Sequence, residues 1–165
     1  MTARSSSLEN ALASRLQRSD STRDRPAILV IDDDKASRDS LVFVFSDQYQ
    51  VTACSSAKEG LEAIHDDICA IILDVRMPEQ DGFSACEAIR RKHPDMPVIF
   101  YSAYQNVKDP IDIINDYHPF GYVVKGGSLQ KLIQSVGLAV KLQSIVIQNR
   151  KLLRRLQAAK SAPAE

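Results

Sequence analysis

Apolar and polar positions divide residues 26–125 into five short apolar runs separated by amphipathic stretches. The runs predict strands at 27–31, 51–53, 68–73, 97–101 and 121–124. The run at 68–73 is continuously apolar and rich in isoleucine, which is typical of a parallel strand buried on both faces. Five strands that alternate with helices predict an α/β fold with one parallel sheet covered by helices on both faces.

The stretches between the runs carry helical periodicity and start signals. Asp34 is a predicted N-cap for a helix that places Leu41, Val44 and Phe45 on one face. Further helices are predicted at about 56–65, 83–92 and 110–116, the last with Asp109 as N-cap and Pro110 as first helical residue.

A polar segment rich in arginine and serine precedes the first strand, over residues 1–25. Ser6 and Glu9 have the spacing of a capping box, and leucines recur every fourth residue from Leu8, so a short helix over 7–18 is one interpretation. A frayed extension is the other, because so short a helix is marginally stable alone.

Polar side chains follow four of the predicted strands. Asp32 and Asp33 follow the first strand, Asp74 the third, Ser102 the fourth and Lys125 the fifth. Because the carboxyl ends of parallel strands share one edge of a sheet, we expect these side chains to converge there.

Such a cluster suits phosphoryl chemistry. Carboxylates without histidine or cysteine suit Mg²⁺, and a lysine and a hydroxyl suit the oxygens of a phosphoryl group. A carboxylate can itself attack phosphorus. The acids at 32–34 taken alone are better explained as capping and solvating a helix start, but together with Asp74 on another strand they favour the cation site.

Composition narrows the class of protein. The chain of 165 residues is 44% hydrophobic and 25% charged, as in ordinary globular proteins. It contains no apolar run near the ~20 residues of a membrane span, and we expect no secretory signal because residues 1–25 lack an apolar region. Cys54, Cys69 and Cys86 lack CxxC spacing, so we expect reduced thiols in a cytoplasmic protein.

Four motifs, with their order and spacing, resemble the receiver domain of bacterial two-component response regulators. They are Ile-Asp-Asp-Asp at 31–34, Asp-x-x-Met-Pro-x-x-Asp-Gly at 74–82, Ser-Ala at 102–103 and Tyr-Val-Val-Lys at 122–125. The resemblance covers residues 26 to about 140. It implies a flavodoxin-like (βα)5 doubly wound sheet with strand order 2-1-3-4-5.

The resemblance also implies roles for residues. Asp74 would accept a phosphoryl group from a sensor histidine kinase or phosphotransfer protein, with Mg²⁺ as cofactor. Asp33 would bind the Mg²⁺ directly, Asp32 largely through water, and the backbone carbonyl of Arg76 would complete the site. Ser102 and Lys125 would contact the phosphoryl oxygens, and Tyr122 would turn inward as Ser102 moves. The chemistry implied is limited to phosphorylation and dephosphorylation of the protein's own aspartate.

Three departures from the family pattern stand out. Gly126-Gly127 follows Lys125 where the family usually has proline, so we expect a looser loop. Arg76 and Tyr104 are large for positions at the pocket mouth, and we expect them to slow the access of water and lengthen the phosphorylated state. His118-Pro119-Phe120 replaces the usual small residues before the fifth strand.

The C-terminal segment is predicted as one long helix from near Ser128 to about residue 160. A heptad pattern begins at Leu138, and its stripe comprises Leu138, Leu142, Ile145, Asn149, Leu152 and Leu156. One interpretation is a dimerising coiled coil, and the other is an amphipathic helix folded back on its own domain. Residues 141–160 carry six basic and no acidic side chains, whereas 26–140 carry ten basic and seventeen acidic ones.

The expected organisation is therefore a polar extension at 1–25, a receiver at 26–137, a coiled-coil extension at 138–160 and a disordered tail at 161–165. The leading hypothesis is a phosphorylatable receiver that switches a protein–protein or homodimer contact. Two alternatives remain open: a phosphotransfer intermediate or phosphate sink without its own output, and a regulator that binds nucleic acid through the basic tail.

Overall fold

The computed structural model describes residues 25–103 and 110–161. In these ranges five parallel strands form one sheet: β1 (Ala27–Ile31), β2 (Gln50–Cys54), β3 (Ile68–Leu73), β4 (Val98–Ser102) and β5 (Gly121–Val124). Their order is β2-β1-β3-β4-β5. The expected flavodoxin-like sheet and its strand order are confirmed.

Five helices connect and follow the strands in the described ranges: α1 (Lys35–Phe45), α2 (Ala57–Ala63), α3 (Gly82–Lys92), α4 (Pro110–Tyr117) and α5 (Leu129–Ser161). The Asp34 carboxylate caps α1 by accepting the N–H of Ala36. The predicted helix over 7–18, the Asp109 cap and the tail beyond residue 161 lie outside the described residues. None of the described helices is both long and apolar enough to cross a membrane.

The edge strand β2 is longer than its sequence pattern predicts. The pattern predicts 51–53, but each of the five residues of β1 pairs with one residue of β2, from Ala27 with Gln50 to Ile31 with Cys54. Pairing with a central strand therefore extends β2 at both ends, and no local propensity encodes this.

Each face of the sheet has its own apolar layer. On one face, α2, α3 and α4 pack against side chains of β1, β3 and β4, with Phe83, Ile89 and Phe100 among the buried residues. On the other face, α1 and α5 cover the sheet with residues that include Phe45 and Leu132. The sheet is thus buried on both faces, which agrees with the continuous apolar run of β3.

The long helix α5 uses opposite faces in two different ways. Its buried residues include Leu132, Val136, Ala139, Val140 and Ile147, and they pack on the sheet. The heptad stripe faces away from the sheet, with its Leu and Ile side chains between 48% and 56% exposed. The two interpretations of this helix are therefore compatible, since folding back on the domain leaves the stripe accessible.

Three ion pairs extend the contact of α5 with its own domain. Arg150, Lys151 and Arg154 lie 3.3, 2.6 and 3.2 Å from Asp95, Asp67 and Asp66, respectively. These acids lie beside the amino ends of β3 and β4, at the edge of the sheet opposite the predicted site. Among the described side chains of the C-terminal segment, these three basic ones are therefore engaged by the domain itself.

Candidate phosphoryl-acceptor and metal site

Three carboxylates converge at the carboxyl edge of the sheet. Asp32 and Asp33 follow β1 and Asp74 follows β3, and each offers an oxygen within 4.8 Å of the others. The neighbouring strands hold this register, because the N–H of Asp74 donates to the carbonyl of Ile31 at 2.8 Å. Asp32 and Asp74 are buried and Asp33 is exposed. An all-oxygen set with one exposed member fits Mg²⁺, which retains several waters when it binds protein.

Lys125 joins two of these carboxylates. Its Nζ lies 2.7 Å from Oδ2 of Asp32 and 2.8 Å from Oδ2 of Asp74. The ring of Tyr101 lies beneath the same ammonium group, at 5.7 Å from its centroid. The lysine thus offsets the repulsion between two buried like charges.

Burial and the ion pairs shift the pKa values of this cluster. Burial raises the pKa of Asp74 above the usual range for aspartate, and the hydrogen bond with Lys125 offsets this only in part. For Lys125, burial acts towards a lower pKa, but the hydrogen bonds with Asp32 and Asp74 outweigh it, so the pKa is raised. Lys125 is therefore cationic at neutral pH.

Ser102 and Tyr122 lie on β4 and β5, the two strands that come after β3 in the sheet. Ser102 is fully buried at the end of β4, and its carbonyl accepts the N–H of Lys125 at 2.7 Å. Tyr122 on β5 is partly buried and makes an edge contact with Phe100, with ring centroids 6.2 Å apart. All the strand-end residues predicted from the sequence therefore lie along one edge of the sheet.

The chain turns sharply after Lys125. The N–H of Gly127 donates to the carbonyl of Val124 at 3.1 Å, and Gly126 has a φ of +79°. A proline at this position could not adopt that angle, because its ring fixes φ near −65°. The Gly126-Gly127 departure thus changes the backbone path, and the looser loop expected from the sequence stays a prediction.

A family model described as response regulator receiver domain matches residues 28–137 of the chain. The chain belongs to this family. Two curated relatives are the C4-dicarboxylate transport transcriptional regulatory protein DctD of Rhizobium meliloti and the regulatory protein AtoC of Escherichia coli. DctD is 28% identical over 136 residues, which cover 81% of this chain and 29% of DctD. AtoC is 33% identical over 122 residues, which cover 72% of this chain and 26% of AtoC. The receiver thus spans less than a third of either relative.

Solved structures agree with this assignment. A response regulator receiver domain protein from Clostridium thermocellum is 26% identical, with a TM-score of 0.66 over 73% of this chain and 98% of that one. A CheY-like receiver domain protein from Methanospirillum hungatei is 23% identical, with a TM-score of 0.65 over 73% of this chain and 97% of that one. The second likeness supports the fold alone.

Two hydrogen bonds to Asp32, from Ser37 and Arg38, were not predicted from the sequence. Ser37 Oγ donates to Oδ2 of Asp32 at 2.6 Å, and Arg38 donates to the Asp32 carbonyl at 2.6 Å. The only local signal is that both residues lie in the first two turns of α1, close to the end of β1. Nothing in the spacing distinguishes them from ordinary solvated positions.

Of the two residues predicted at the mouth of the site, the structure describes Arg76. Arg76 is exposed, and its backbone N–H donates to Oδ1 of Asp74 at 3.3 Å. Tyr104, the other residue predicted at the mouth, lies outside the described residues. The predicted effect of the pair on dephosphorylation stays a prediction.

Proposed function

We propose that this receiver accepts a phosphoryl group on Asp74 and uses the change to switch a protein–protein contact. The observation that carries the proposal is the buried Asp74 carboxylate, which shares Lys125 with Asp32 and offers an oxygen within 4.8 Å of the carboxylates of Asp32 and Asp33. A sensor histidine kinase or a phosphotransfer protein is the proposed donor. The proposed location is the cytoplasm, where such donors present their phosphohistidines.

Asp32, Asp33, Asp74 and the Arg76 carbonyl are the proposed holders of Mg²⁺. When bound, the cation would neutralise negative charge on the phosphoryl group and the carboxylates. Asp33 is exposed and so suited to a direct contact, while Asp32 is held by neighbouring donors and suited to act through water.

The chain's own residues divide the remaining work. Asp74 is the proposed nucleophile, and only 7% of the residue is exposed. Lys125 places a fixed positive charge beside it, at 2.8 Å from Oδ2. Ser102 supplies a hydroxyl at the adjacent strand end, and its displacement would be passed to Tyr122 one strand away. The proposed chemistry is confined to this aspartate.

The exposed stripe of α5 is the proposed homodimer contact, made with the same stripe of a second copy. Asn149 lies within the stripe and is exposed, and one such Asn in a parallel pair of helices favours a single register. Binding of nucleic acid by the basic segment receives less support, because Arg150, Lys151 and Arg154 already pair with acids of the domain.

Phosphorylation is tested with a small acyl phosphate and Mg²⁺, followed by intact-mass measurement. The wild type is expected to gain the mass of one phosphoryl group and Asp74→Asn none, whereas Asp39→Asn, an exposed acid on α1, should behave as the wild type. Equal phosphorylation of the Asp74→Asn protein would refute the assignment.

The dimer contact is tested by light scattering with and without Mg²⁺ and beryllofluoride, a mimic of the phosphoryl group. Leu142→Asp in the stripe should abolish any dimer, whereas Phe43→Asp, at an apolar residue 84% exposed on α1, should leave it intact. A monomer under all conditions would reject the dimer but leave phosphorylation standing. A dimer that forms only with beryllofluoride would show that dimerisation depends on the phosphorylated state.

A further inference from the structure

The first turn of α1 holds the Asp32 carboxylate from two directions. Ser37 Oγ donates to Oδ2 at 2.6 Å, and the backbone N–H of Asp34 donates to Oδ1 at 3.0 Å. Lys125 contacts the same Oδ2 from the other side at 2.7 Å. Since Asp32 is only 2% exposed, these donors take the place of bulk water around its two oxygens.

We propose that Ser37 is a positioning residue of the metal site, which fixes the rotation of the Asp32 carboxylate so that it faces the cation. The inference rests on the proposed function, because it concerns the same site. Mutation of side chains that orient metal ligands typically lowers metal affinity or activity by about 10- to 100-fold. The inference assigns Ser37 no contact with substrate or cation.

The division of labour between Ser37 and Lys125 supports this role. Lys125 also contacts Asp74, the proposed phosphoryl acceptor, so its hold on Asp32 depends on the chemical state of Asp74. Ser37 has one hydroxyl proton, and it is directed at Asp32. The serine can therefore keep Asp32 in place while Lys125 engages a phosphoryl group.

The local fold fixes where the hydroxyl points. Asp34 caps α1 by accepting the N–H of Ala36 at 3.0 Å, which sets the start of the helix. Arg38 donates to the backbone carbonyl of Asp32 at 2.6 Å and holds the end of β1 against the helix. With both ends of this junction fixed, Ser37 lies on the side of α1 that faces Asp32.

A purely structural role for Ser37 predicts a different outcome on mutation. If the hydroxyl served stability alone, Ser37→Ala would lower the free energy of unfolding, because the buried Asp32 carboxylate loses a donor, and would leave the Mg²⁺ affinity of the folded protein unchanged. A positioning role predicts that the same variant folds normally but binds the cation more weakly. Stability and affinity therefore move independently under the proposal.

The test is calorimetric titration of the full chain with Mg²⁺ alone, alongside thermal unfolding. Ser37→Ala is expected to weaken binding about tenfold, at the low end of the range for residues that orient metal ligands. Ser37→Thr keeps a hydroxyl and should restore most of the affinity. Ser40→Ala, the same change at an exposed position of α1, should bind as the wild type does.

A double-mutant cycle with Asp32→Ala tests whether Ser37 affects the Mg²⁺ affinity through Asp32. If Ser37 acts through Asp32, Ser37→Ala adds no further loss of affinity once Asp32 is truncated. Wild-type affinity in Ser37→Ala, or a full additional loss in the Asp32→Ala background, would overturn the inference and leave the proposed function standing. A wild type that fails to bind Mg²⁺ would overturn both.

Discussion

Gly82 is the position where a single methyl group should disrupt the site. It opens α3 directly behind Asp74, and its N–H donates to the carbonyl of Val75 at 2.7 Å. A Cβ built at this position would collide with the carbonyl oxygen of Asp74 and would lie 2.7 Å from Cα of Val75. These neighbours are backbone atoms, so no side-chain rotation can relieve the collision, and the main chain of the 74–82 loop has to move.

The expected cost follows from this geometry. Forcing a methyl group into packed backbone typically costs about 1–3 kcal/mol. For a protein of this size each kcal/mol lowers the unfolding temperature by about 2–4 °C. Because the displaced backbone carries Asp74 and Arg76, Gly82→Ala should also weaken Mg²⁺ binding and slow phosphorylation by a small acyl phosphate.

Gly137 provides the matched control within the same chain. It lies inside α5, and a Cβ there would meet the Tyr49 hydroxyl at 3.8 Å, an ordinary contact. Because glycine is a poor helix former, Gly137→Ala should raise the free energy of unfolding by up to about 1 kcal/mol. Urea unfolding followed by circular dichroism measures both variants. A Gly82→Ala protein with wild-type stability and wild-type Mg²⁺ affinity would refute the reasoning.

Three further predictions follow from the charges and burial. Because burial raises the pKa of Asp74, its carboxylate should take up a proton at a higher pH than an ordinary aspartate does, and the protonated form neither attacks phosphorus nor binds a cation. As pH is lowered, initial rates with an acyl phosphate should therefore fall before an aspartate of ordinary pKa would be protonated, and a rate that falls only at or below the ordinary aspartate pKa would contradict this. Burial also raises the pKa of the Cys54 and Cys86 thiols, so a thiol reagent should label the native protein slowly and the denatured protein fast, with rapid native labelling as the contrary result. The hydrogen bond from Lys151 lowers the pKa of Asp67, so this pair stabilises the fold above the usual aspartate pKa and stops doing so as pH falls through the lowered value. Lys151→Ala should lower the free energy of unfolding by at most about 1 kcal/mol at neutral pH, and high salt should reduce this effect. A loss of stability that salt leaves unchanged would point to packing instead.

Sequence periodicity predicts one face of the long helix α5 but not the contacts of the opposite face. The heptad pattern predicts the stripe from Leu138 to Leu156, and this stripe lies on one side of α5. The pattern does not predict that the opposite side, with Val140 and Ile147, packs on the sheet. Whether a helix with two usable faces lies on its own domain depends on the surface it meets, which is assembled from distant parts of the chain.

The conformation of the turn after Lys125 is likewise predicted only in part by the sequence. Gly126-Gly127 predicts a backbone that is free of the constraint of proline. The positive φ of Gly126 and the hydrogen bond from Gly127 to Val124 are specific choices within that freedom. The end of β5 and the ion pairs of Lys125 select among the conformations that glycine permits.

The sequence by itself determined the alternation of strands and helices, the strand ends that carry acids, hydroxyl and lysine, and hence the edge at which they meet. These follow from short-range periodicity and from the rule that parallel strands share an edge. Only the tertiary structure decided that Lys125 bridges Asp32 and Asp74, that Ser37 holds Asp32, and that α5 packs through one face. The physical reason is that a side-chain contact depends on backbone angles and packing at junctions between elements, where residues far apart in sequence fix each other's positions.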